Sequence, residues 1–232
     1  GNNIFAGVHK GFAAATSTDN NRNEKSINYE VGQRFSSEKL SYQIIGFFND
    51  YSNLLGQCTA STGGDCTAGT QYDGGKVEAK GIEANFAYDI SEKVNTTGFK
   101  VPVKFVYTYT DAEFKESFAS DFSQWGTVEA GNKLPYVAEN QYYVSIGLEN
   151  EKFALELSAN HQDAMNTIAD GSQKTEDALT YDLAASYTIS DNTGAFATVT
   201  NLTDETYIAS RHPYGVRPGA PLMAYIGLKQ KF

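Results

Sequence analysis

The sequence predicts an all-β protein whose antiparallel strands form a transmembrane β-barrel. Apolar residues recur at every second position in about ten segments, which is the period of a strand with one apolar face. The connections between these segments alternate between long and short. Tyr and Phe are abundant, at 15 and 14 residues, and suit the aromatic girdles of a membrane barrel.

The first five predicted strands are Ile4–Phe12, Lys25–Phe35, Leu40–Leu55, Gly75–Tyr88 and Val101–Phe114. Glycines interrupt one face of the first strand. The other four each carry one apolar set with a period of two. These sets are Ile27, Tyr29, Val31 and Phe35; Leu40, Tyr42, Ile44 and Phe48; Ile82, Ala84, Phe86 and Tyr88; and Val101, Val103, Phe105, Tyr107 and Tyr109.

The last five predicted strands are Ala138–Glu149, Phe153–Gln162, Leu179–Ile189, Gly194–Leu202 and Leu222–Phe232. The sixth, seventh and eighth strands again place Leu, Ile, Val and Tyr at alternate positions. The tenth strand has one apolar set and ends on an aromatic residue, which is typical of a closing strand of a bacterial outer-membrane barrel. An ordinary last strand of a soluble sandwich is the alternative for this segment alone.

The connections predict a barrel more strongly than any single strand does. Long loops follow strands one, three, five, seven and nine, and antiparallel neighbours turn at opposite ends. All long loops therefore lie at one end, as in outer-membrane barrels, whereas a Greek-key sandwich would not sort its loops in this way. The face opposite the apolar sets carries charges that a dry core would not accept but a wet or plugged lumen would. These are Glu30, Arg34, Glu83, Lys104, Glu149, Glu156 and Asp182.

Charge and hydropathy exclude other classes of protein. The formal net charge of −10 argues against a nucleic-acid partner. No run of eighteen apolar residues is present, so no membrane-spanning helix is expected. Residues 1–12 do not read as a signal peptide, and the chain opens directly in strand-like sequence. We therefore expect either a removed leader or the tail of a longer chain.

Several short motifs, in this order and spacing, resemble TonB-dependent outer-membrane receptors of the ferric-citrate and ferric-siderophore group. The resemblance covers nearly the whole chain. The motifs are Gly7-Val8-His9-Lys10-Gly11-Phe12, Ile27-Asn28-Tyr29-Glu30-Val31-Gly32, Lys80-Gly81-Ile82-Glu83, Asn201-Leu202-Thr203-Asp204-Glu205-Thr206-Tyr207 and Gly215-Val216-Arg217-Pro218-Gly219 through Phe232. The sequence departs from the pattern at Ala13-Ala14-Ala15, where relatives often have prolines, and at Gln230, where an aromatic is common.

Such receptors have an N-terminal plug with a TonB box and a barrel of twenty-two strands. The resemblance therefore implies that residues 1–232 are a partial barrel domain, about ten C-terminal strands, without the plug. It implies a transporter of a chelated iron compound in the bacterial outer membrane, with no enzymatic activity and no cofactor. The implied partners are a ferric siderophore or ferric citrate, outer-membrane lipid and lipopolysaccharide, and TonB acting through the missing plug.

Two groups of residues are candidates for a site. Cys58 and Cys66 lie eight positions apart; a disulfide is favoured over metal binding because no His is nearby. Arg211, His212, Tyr214 and Arg217 form a local basic cluster in the last long loop. Guanidinium groups bind carboxylate-rich chelates through paired hydrogen bonds, so we predict ligand binding by this cluster, with solvated loop residues as the plainer alternative.

No catalytic site and no metal site is predicted. The three histidines show no ligand spacing with Cys or a carboxylate. Asp163 beside His161 is the one feature that suits a complete ten-stranded barrel with a protease at its rim. That rival, and a soluble β-sandwich binding module, are the alternatives to the transporter.

Overall fold

The computed structural model describes residues 1–16, 22–60, 62, 66–94, 96, 98–212 and 214–231. Within them it contains sixteen strands and no helix. No helix in the described residues is therefore long and apolar enough to cross a membrane. In chain order the strands are β1 (Asn2–Ala13), β2 (Glu24–Ser36), β3 (Leu40–Tyr51), β4 (Leu55–Gln57), β5 (Gln71–Asp73), β6 (Val77–Asp89), β7 (Pro102–Phe114), β8 (Phe118–Ala119), β9 (Thr127–Val128), β10 (Asn140–Glu149), β11 (Phe153–Gln162), β12 (Ala178–Ser190), β13 (Thr193–Thr200), β14 (Ile208–Ser210), β15 (Arg217–Pro218) and β16 (Met223–Gln230).

Ten strands form a single antiparallel sheet in the order β1-β2-β3-β6-β7-β10-β11-β12-β13-β16. Each strand pairs with the next long strand along the chain, so the sheet is a simple meander. In the described part of the chain, β1 and β16 are the two edges and do not pair with each other. The predicted ten strands are confirmed, and the single sheet rules out the two packed sheets of a β-sandwich.

The sheet has two chemically different faces, which we call the apolar face and the polar face. Ile44, Ala84 and Tyr107 lie in one row across β3, β6 and β7 on the apolar face. Large side chains there are open to the surroundings even on inner strands: Ile44 is 49% exposed and Ile82 is 48% exposed. Such exposure of aliphatic side chains is unfavourable in water and is what a lipid-facing wall requires.

Several charged side chains of the polar face have partners on neighbouring strands. Lys104 Nζ lies 3.1 Å from Glu156 Oε2, and the Tyr143 hydroxyl donates to Glu156 Oε1 at 2.9 Å. Arg34 stacks over the ring of Phe5, with 4.9 Å between the guanidinium carbon and the ring centroid. These contacts explain how charged residues occupy so many strands of one face without isolated buried charge.

Three glycines on the polar face, Gly32, Gly81 and Gly227, are covered by aromatic rings from the neighbouring strand. A Cβ atom at Gly81 would lie 1.9 Å from the backbone oxygen of Tyr109 and 2.7 Å from the ring of Phe47. Phe5 covers Gly32 and Phe196 covers Gly227 in the same way. Glycine is therefore required at Gly81, because any side chain would collide with backbone as well as with a ring.

The long loops carry their own small core at the end of the sheet where they meet. Three two-stranded hairpins, β4–β5, β8–β9 and β14–β15, lie in these loops. Residues from two strands and two loops pack into what we call the loop core. It consists of Val77, Phe114, Phe122, Trp125, Val128 and Ala169.

Most predicted strand ends differ from the observed ends by one or two residues, and the third strand differs most. The prediction extended it to Leu55, but β3 ends at Tyr51. The Asn53 side chain donates to the carbonyl of Arg22 at 2.7 Å, and the Leu54 amide donates to Gly75 O at 2.9 Å. These bonds turn the chain before the β4–β5 hairpin. The terminal aromatic, Phe232, lies outside the described residues.

We predict that Gly81→Ala destabilises the sheet by about 1–3 kcal/mol, because the new methyl group must displace the β7 backbone or Phe47. Gly46→Ala is the matched control, since a Cβ there would meet only Val31 Cγ1, at 4.0 Å. Denaturant unfolding in detergent, followed by heat-modifiable gel mobility, measures both. Equal stability of the two variants would contradict the predicted collision.

Candidate ligand site at the loop end of the polar face

A cavity of about 570 Å³ lies on the polar face at the end of the long loops. Strands β7, β10, β11 and β12 form its wall, and Met165, Tyr207 and Ala209 reach it from two loops. The wall also includes polar-face residues with hydrogen-bonding groups, namely Thr108, Gln141, Tyr143, Asn160, Gln162 and Thr180. Among the described lining residues none is Lys, Arg, Asp or Glu, so the cavity offers neutral amide and hydroxyl groups and one thioether. Tyr142 and His161 also border it, but their side chains lie on the apolar face, in register with Tyr107.

Some of these groups are already engaged and others are available. Asn160 Nδ2 donates to Asp182 Oδ2 at 3.0 Å, and Gln162 Nε2 lies 3.6 Å from the sulfur of Met165. Gln141 is exposed, and its side-chain amide has no hydrogen-bond partner among the described residues. A planar amide with one acceptor and two donors at such a position can bind a polar ligand without breaking protein contacts.

The sequence prediction did not include these cavity residues. Their sequence signal is weak: polar, uncharged residues at polar-face positions near the long-loop ends of neighbouring strands. This pattern indicates a shared cavity only when β7, β10, β11 and β12 are known to be adjacent.

The last long loop is closed at its base by the side chain of Asn201, which is 3% exposed. Its amide nitrogen donates to the carbonyls of Glu205 and Ala220, both at 2.9 Å, and its oxygen accepts from the Glu205 amide at 2.8 Å. Asp204 Oδ1 accepts from the Leu222 amide at 2.9 Å. The motif that begins at Asn201 is thus a structural clasp that brings the end of β13 to the start of β16.

Tyr136, from the loop between β9 and β10, anchors the last loop. Its hydroxyl lies 2.6 Å from His212 Nδ1 and 3.2 Å from Ser210 Oγ, and it accepts a bond from the Arg211 amide at 3.3 Å. Tyr136 has a φ of 60°, an unfavourable backbone conformation for an aromatic residue. Its backbone amide donates to Asn166 O at 2.8 Å, which holds this conformation in place.

The four residues predicted to bind a ligand do not form one cluster of contacts. The Arg211 guanidinium donates through Nε to the carbonyl of Lys174 at 2.6 Å, so it joins two loops. Tyr214 is 91% exposed, and Arg217 is exposed in β15, where it pairs with Ser210. Two of the predicted residues therefore position the loop, and two remain accessible at its surface.

Burial lowers the pKa of His212 below its ordinary value near 6.5. The ring is partly enclosed and packs edge-on against Tyr136, with 5.8 Å between centroids. A neutral imidazole at this position suits an anchor between loops better than a cationic group for an anionic chelate.

Cys58 and Cys66 form the predicted disulfide, with 6.1 Å between their Cα atoms. Cys58 is 2% exposed and exchanges backbone hydrogen bonds with Thr70 and Gly69 just beyond the β4–β5 hairpin. The bridge therefore closes a loop at the long-loop end, next to the β4–β5 hairpin.

His161 and Asp163 are hydrogen-bonded, with 3.0 Å between Nε2 and Oδ1, but their other contacts are structural. The His161 ring stacks on Tyr142 at 4.6 Å between centroids. Asp163 Oδ2 accepts from the backbone and side-chain nitrogens of Asn140 at 3.0 and 2.6 Å. Although burial raises the pKa of Asp163, bonds from Asn140 and His161 produce a net lowering. A firmly ionised carboxylate tied into backbone is typical of a strand-end clasp.

Groups of three or more His, Cys, Asp or Glu residues that could hold a metal ion do not occur in the described ranges.

A single meander with one lipid-compatible face and one polar face that carries a cavity defines a transmembrane β-barrel sheet. The chain matches the family described as TonB dependent receptor-like, beta-barrel, over residues 1–202. Because this match covers most of the 232 residues, the chain belongs to that family of TonB-dependent receptors. Among curated proteins no significant match is found.

Solved structures share the fold over the whole chain. The ferric citrate transporter FecA, in its unliganded form, is 19% identical with a TM-score of 0.76 and is covered to 36% of its length. The copper transporter OprC is 14% identical with a TM-score of 0.75, covered to 37%. The siderophore receptor PiuA from Acinetobacter baumannii is 15% identical with a TM-score of 0.73, covered to 34%. Each match covers 100% of this chain, which spans about a third of each receptor.

We expect the loop anchor at His212 to loosen in mild acid. A lowered pKa means that the folded loop binds the proton less tightly than the unfolded loop does. Its stabilisation is therefore present above about pH 6.5 and declines as the pH falls through the lowered pKa. Exchange of the Arg211 amide hydrogen, corrected for its intrinsic rate, should accelerate between about pH 7.5 and 5. In His212→Gln this acceleration should be absent; an unchanged pH profile in that variant would assign the effect to another group.

We predict that removing the disulfide disorders its loop without unfolding the sheet. Closing so short a loop stabilises by about 2–3 kcal/mol, and that effect is local to the hairpin. Mass spectrometry of non-reduced protein should show the bridge, and the Cys58→Ser, Cys66→Ser double variant should keep its heat-modifiable mobility. Two free, alkylatable thiols in freshly prepared membranes would overturn the assignment.

Proposed function

We propose that this chain is part of the barrel of an outer-membrane TonB-dependent transporter for a chelated iron compound, a ferric siderophore or ferric citrate. Family membership supports the class of protein, and the ten strands supply one part of a larger barrel. The plug and its TonB box then lie elsewhere in the full-length protein, and TonB acts through that plug. The apolar face contacts outer-membrane lipid, including lipopolysaccharide.

The observation that carries this proposal is the cavity on the polar face beneath the last loop. In a barrel of this family the polar face lines the lumen, and the long loops lie on the extracellular side. The cavity therefore lies on the route of a ligand that enters from outside. Its neutral donors and acceptors suit a ligand whose metal ion is already enclosed by its own chelator.

The accessible residues of the last loop extend the site. Ala209, which lines the cavity, is the central residue of β14, and β14 pairs with β15, which begins at Arg217. Arg217 and Tyr214 are free to contact a ligand before it reaches the wall. We assign Arg211 and His212 a positioning role, because they contact Lys174 and Tyr136 on other loops.

Iron uptake is tested in cells. A strain that lacks this receptor should lose uptake of one labelled ferric chelate, and restoration by the full-length gene should require TonB. Ferric citrate, a ferric catecholate, a ferric hydroxamate and a copper complex form the panel, because the same fold occurs in iron and copper transporters. Unchanged uptake of every iron chelate, together with loss of copper uptake, would overturn the iron proposal.

We predict that Gln141→Leu weakens ligand binding by about fivefold, because one neutral hydrogen bond contributes about 1 kcal/mol. The change removes an amide with no described protein partner, so the fold should not be affected. Gln43→Leu is the matched control: it lies on the same face near the short-turn end of β3. Equilibrium binding of the transported chelate to purified full-length receptor measures both variants. Equal losses of affinity in the two variants would show that the cavity is not part of the ligand site.

We predict that Arg217→Gln weakens binding of a carboxylate-bearing chelate by about tenfold or more, since a charge-assisted pair contributes about 1.5–3 kcal/mol. Binding of a neutral hydroxamate chelate should change little. Lys93→Gln, an exposed charge change in a short turn, is the control for net charge. An equal effect of both substitutions would point to general electrostatics rather than a contact.

A further inference from the structure

The apolar face is interrupted by a groove of about 760 Å³ near the long-loop end. Its walls are mainly apolar side chains from β1, β2, β3, β6 and β7. The main wall residues are Val8, Tyr29, Val31, Phe48 and Ile82, around Gly46. These residues belong to the outer surface of the sheet, so the groove is separate from the cavity on the polar face.

The groove exists because one side chain is missing from a row of large ones. Val31, Gly46 and Ile82 lie side by side across β2, β3 and β6. A Cβ at Gly46 would meet only Val31 Cγ1, at 4.0 Å, so the space above this residue is open. Neither a close contact nor a positive φ requires glycine here, unlike Gly81.

A cation lies at the loop end of the groove. Lys80, which also lines it, pairs in register with Phe48 and is 59% exposed. Its ammonium group is 3.1 Å from Asp111 Oδ2, which leaves donors free for another anion. Three more lysines form ion pairs at the same end of the strands. Lys133 pairs with Asp111, Glu113 and Glu139. Lys115 pairs with Glu78 and Glu113, and Lys76 pairs with Asp50 and Glu78.

We propose that this groove binds one outer-leaflet lipid of the lipid A type, which carries phosphate groups and several acyl chains. An acyl chain lies in the space at Gly46, and a phosphate contacts Lys80. The combination of apolar walls with an exposed ammonium at the extracellular end selects such a lipid over a purely apolar molecule. This inference rests on the proposed position of the apolar face in the outer membrane.

The test is retention of lipid by purified full-length receptor in detergent, counted by native mass spectrometry. The probes are bisphosphorylated lipid A and the same lipid with its phosphates removed. Gly46→Leu fills the groove and should retain one lipid fewer than the unaltered protein. Ala185→Leu adds the same side chain to the apolar face on β12, away from the groove, and should retain the full number.

Lys80→Gln separates the head-group contact from the acyl contact. It should reduce retention of the phosphorylated lipid severalfold and leave retention of the dephosphorylated lipid unchanged. Heat-modifiable mobility confirms that each variant is folded. Equal retention by Gly46→Leu and the unaltered protein, or an equal effect of Lys80→Gln on both lipids, would overturn the proposal.

Two further measurements keep this proposal separate from the transport function. Loss of a receptor dimer in Gly46→Leu, without loss of lipid, would assign the groove to a second copy of the chain. Chelate uptake by Gly46→Leu should be unchanged, because the groove and the cavity lie on opposite faces. If the variants retain lipid equally, the transport proposal still stands. If the receptor transports no iron chelate, the lipid counts can still be interpreted.

Discussion

Hydrogen bonding between neighbouring backbones is the constraint on which this structure depends. In a membrane every amide and carbonyl of a spanning segment needs a protein partner, because the lipid interior supplies none. The meander supplies these partners at each junction between β1 and β16 with a nearly regular register, and the shift near Thr188 lies beside a short turn. The outer edges of β1 and β16 are not paired in the described residues. Regular pairing fixes the backbone conformation within the sheet. The properties specific to this chain therefore come from the side chains on the two faces and from the loops.

In this arrangement the buried hydrophobic core lies at the long-loop end of the sheet and not across one of its faces. A single sheet with one face toward lipid cannot bury its apolar residues against a second layer. In the described residues the cluster of buried apolar side chains is instead the loop core. There the Trp125 ring packs edge-to-face with Phe114, Phe118 and Phe122 at 5.0–5.9 Å between centroids. Aromatic pairs of this kind stabilise beyond the area that they bury, which lets long loops hold a defined shape at the end of a barrel.

The sequence predicts the sheet well because the signals for it are local. Alternation within Leu179–Ile189 or Phe153–Gln162 identifies the strand and assigns its faces without knowledge of any neighbour. The paired cysteines lie within one loop, so their bridge is also a local feature. Even the length of the connections is visible in the sequence and fixes which end carries the loops.

The site could be predicted only in part because it is built from distant parts of the chain. His212 looks like a basic ligand residue until its partner Tyr136, 76 positions away, is known. Gln141 is unremarkable until β7 and β11 lie on either side of it. The pair His161 and Asp163 suggests catalysis by proximity, whereas the contacts to Tyr142 and Asn140 show a strand-end clasp.

The clasp at Asn201 separates changes within the last loop from changes to the strand register of the wall. Asn201 and Asp204 both have positive φ angles, 51° and 50°, which their short polar side chains tolerate. Their bonds to residues at both ends of the last loop fix the distance between β13 and β16 whatever lies between. Residues 206–219 can therefore be lengthened, shortened or exchanged as a cassette while the wall keeps its register. Exchange of this one loop would then alter the long-loop end of the sheet and leave the strand pairing of the wall unchanged.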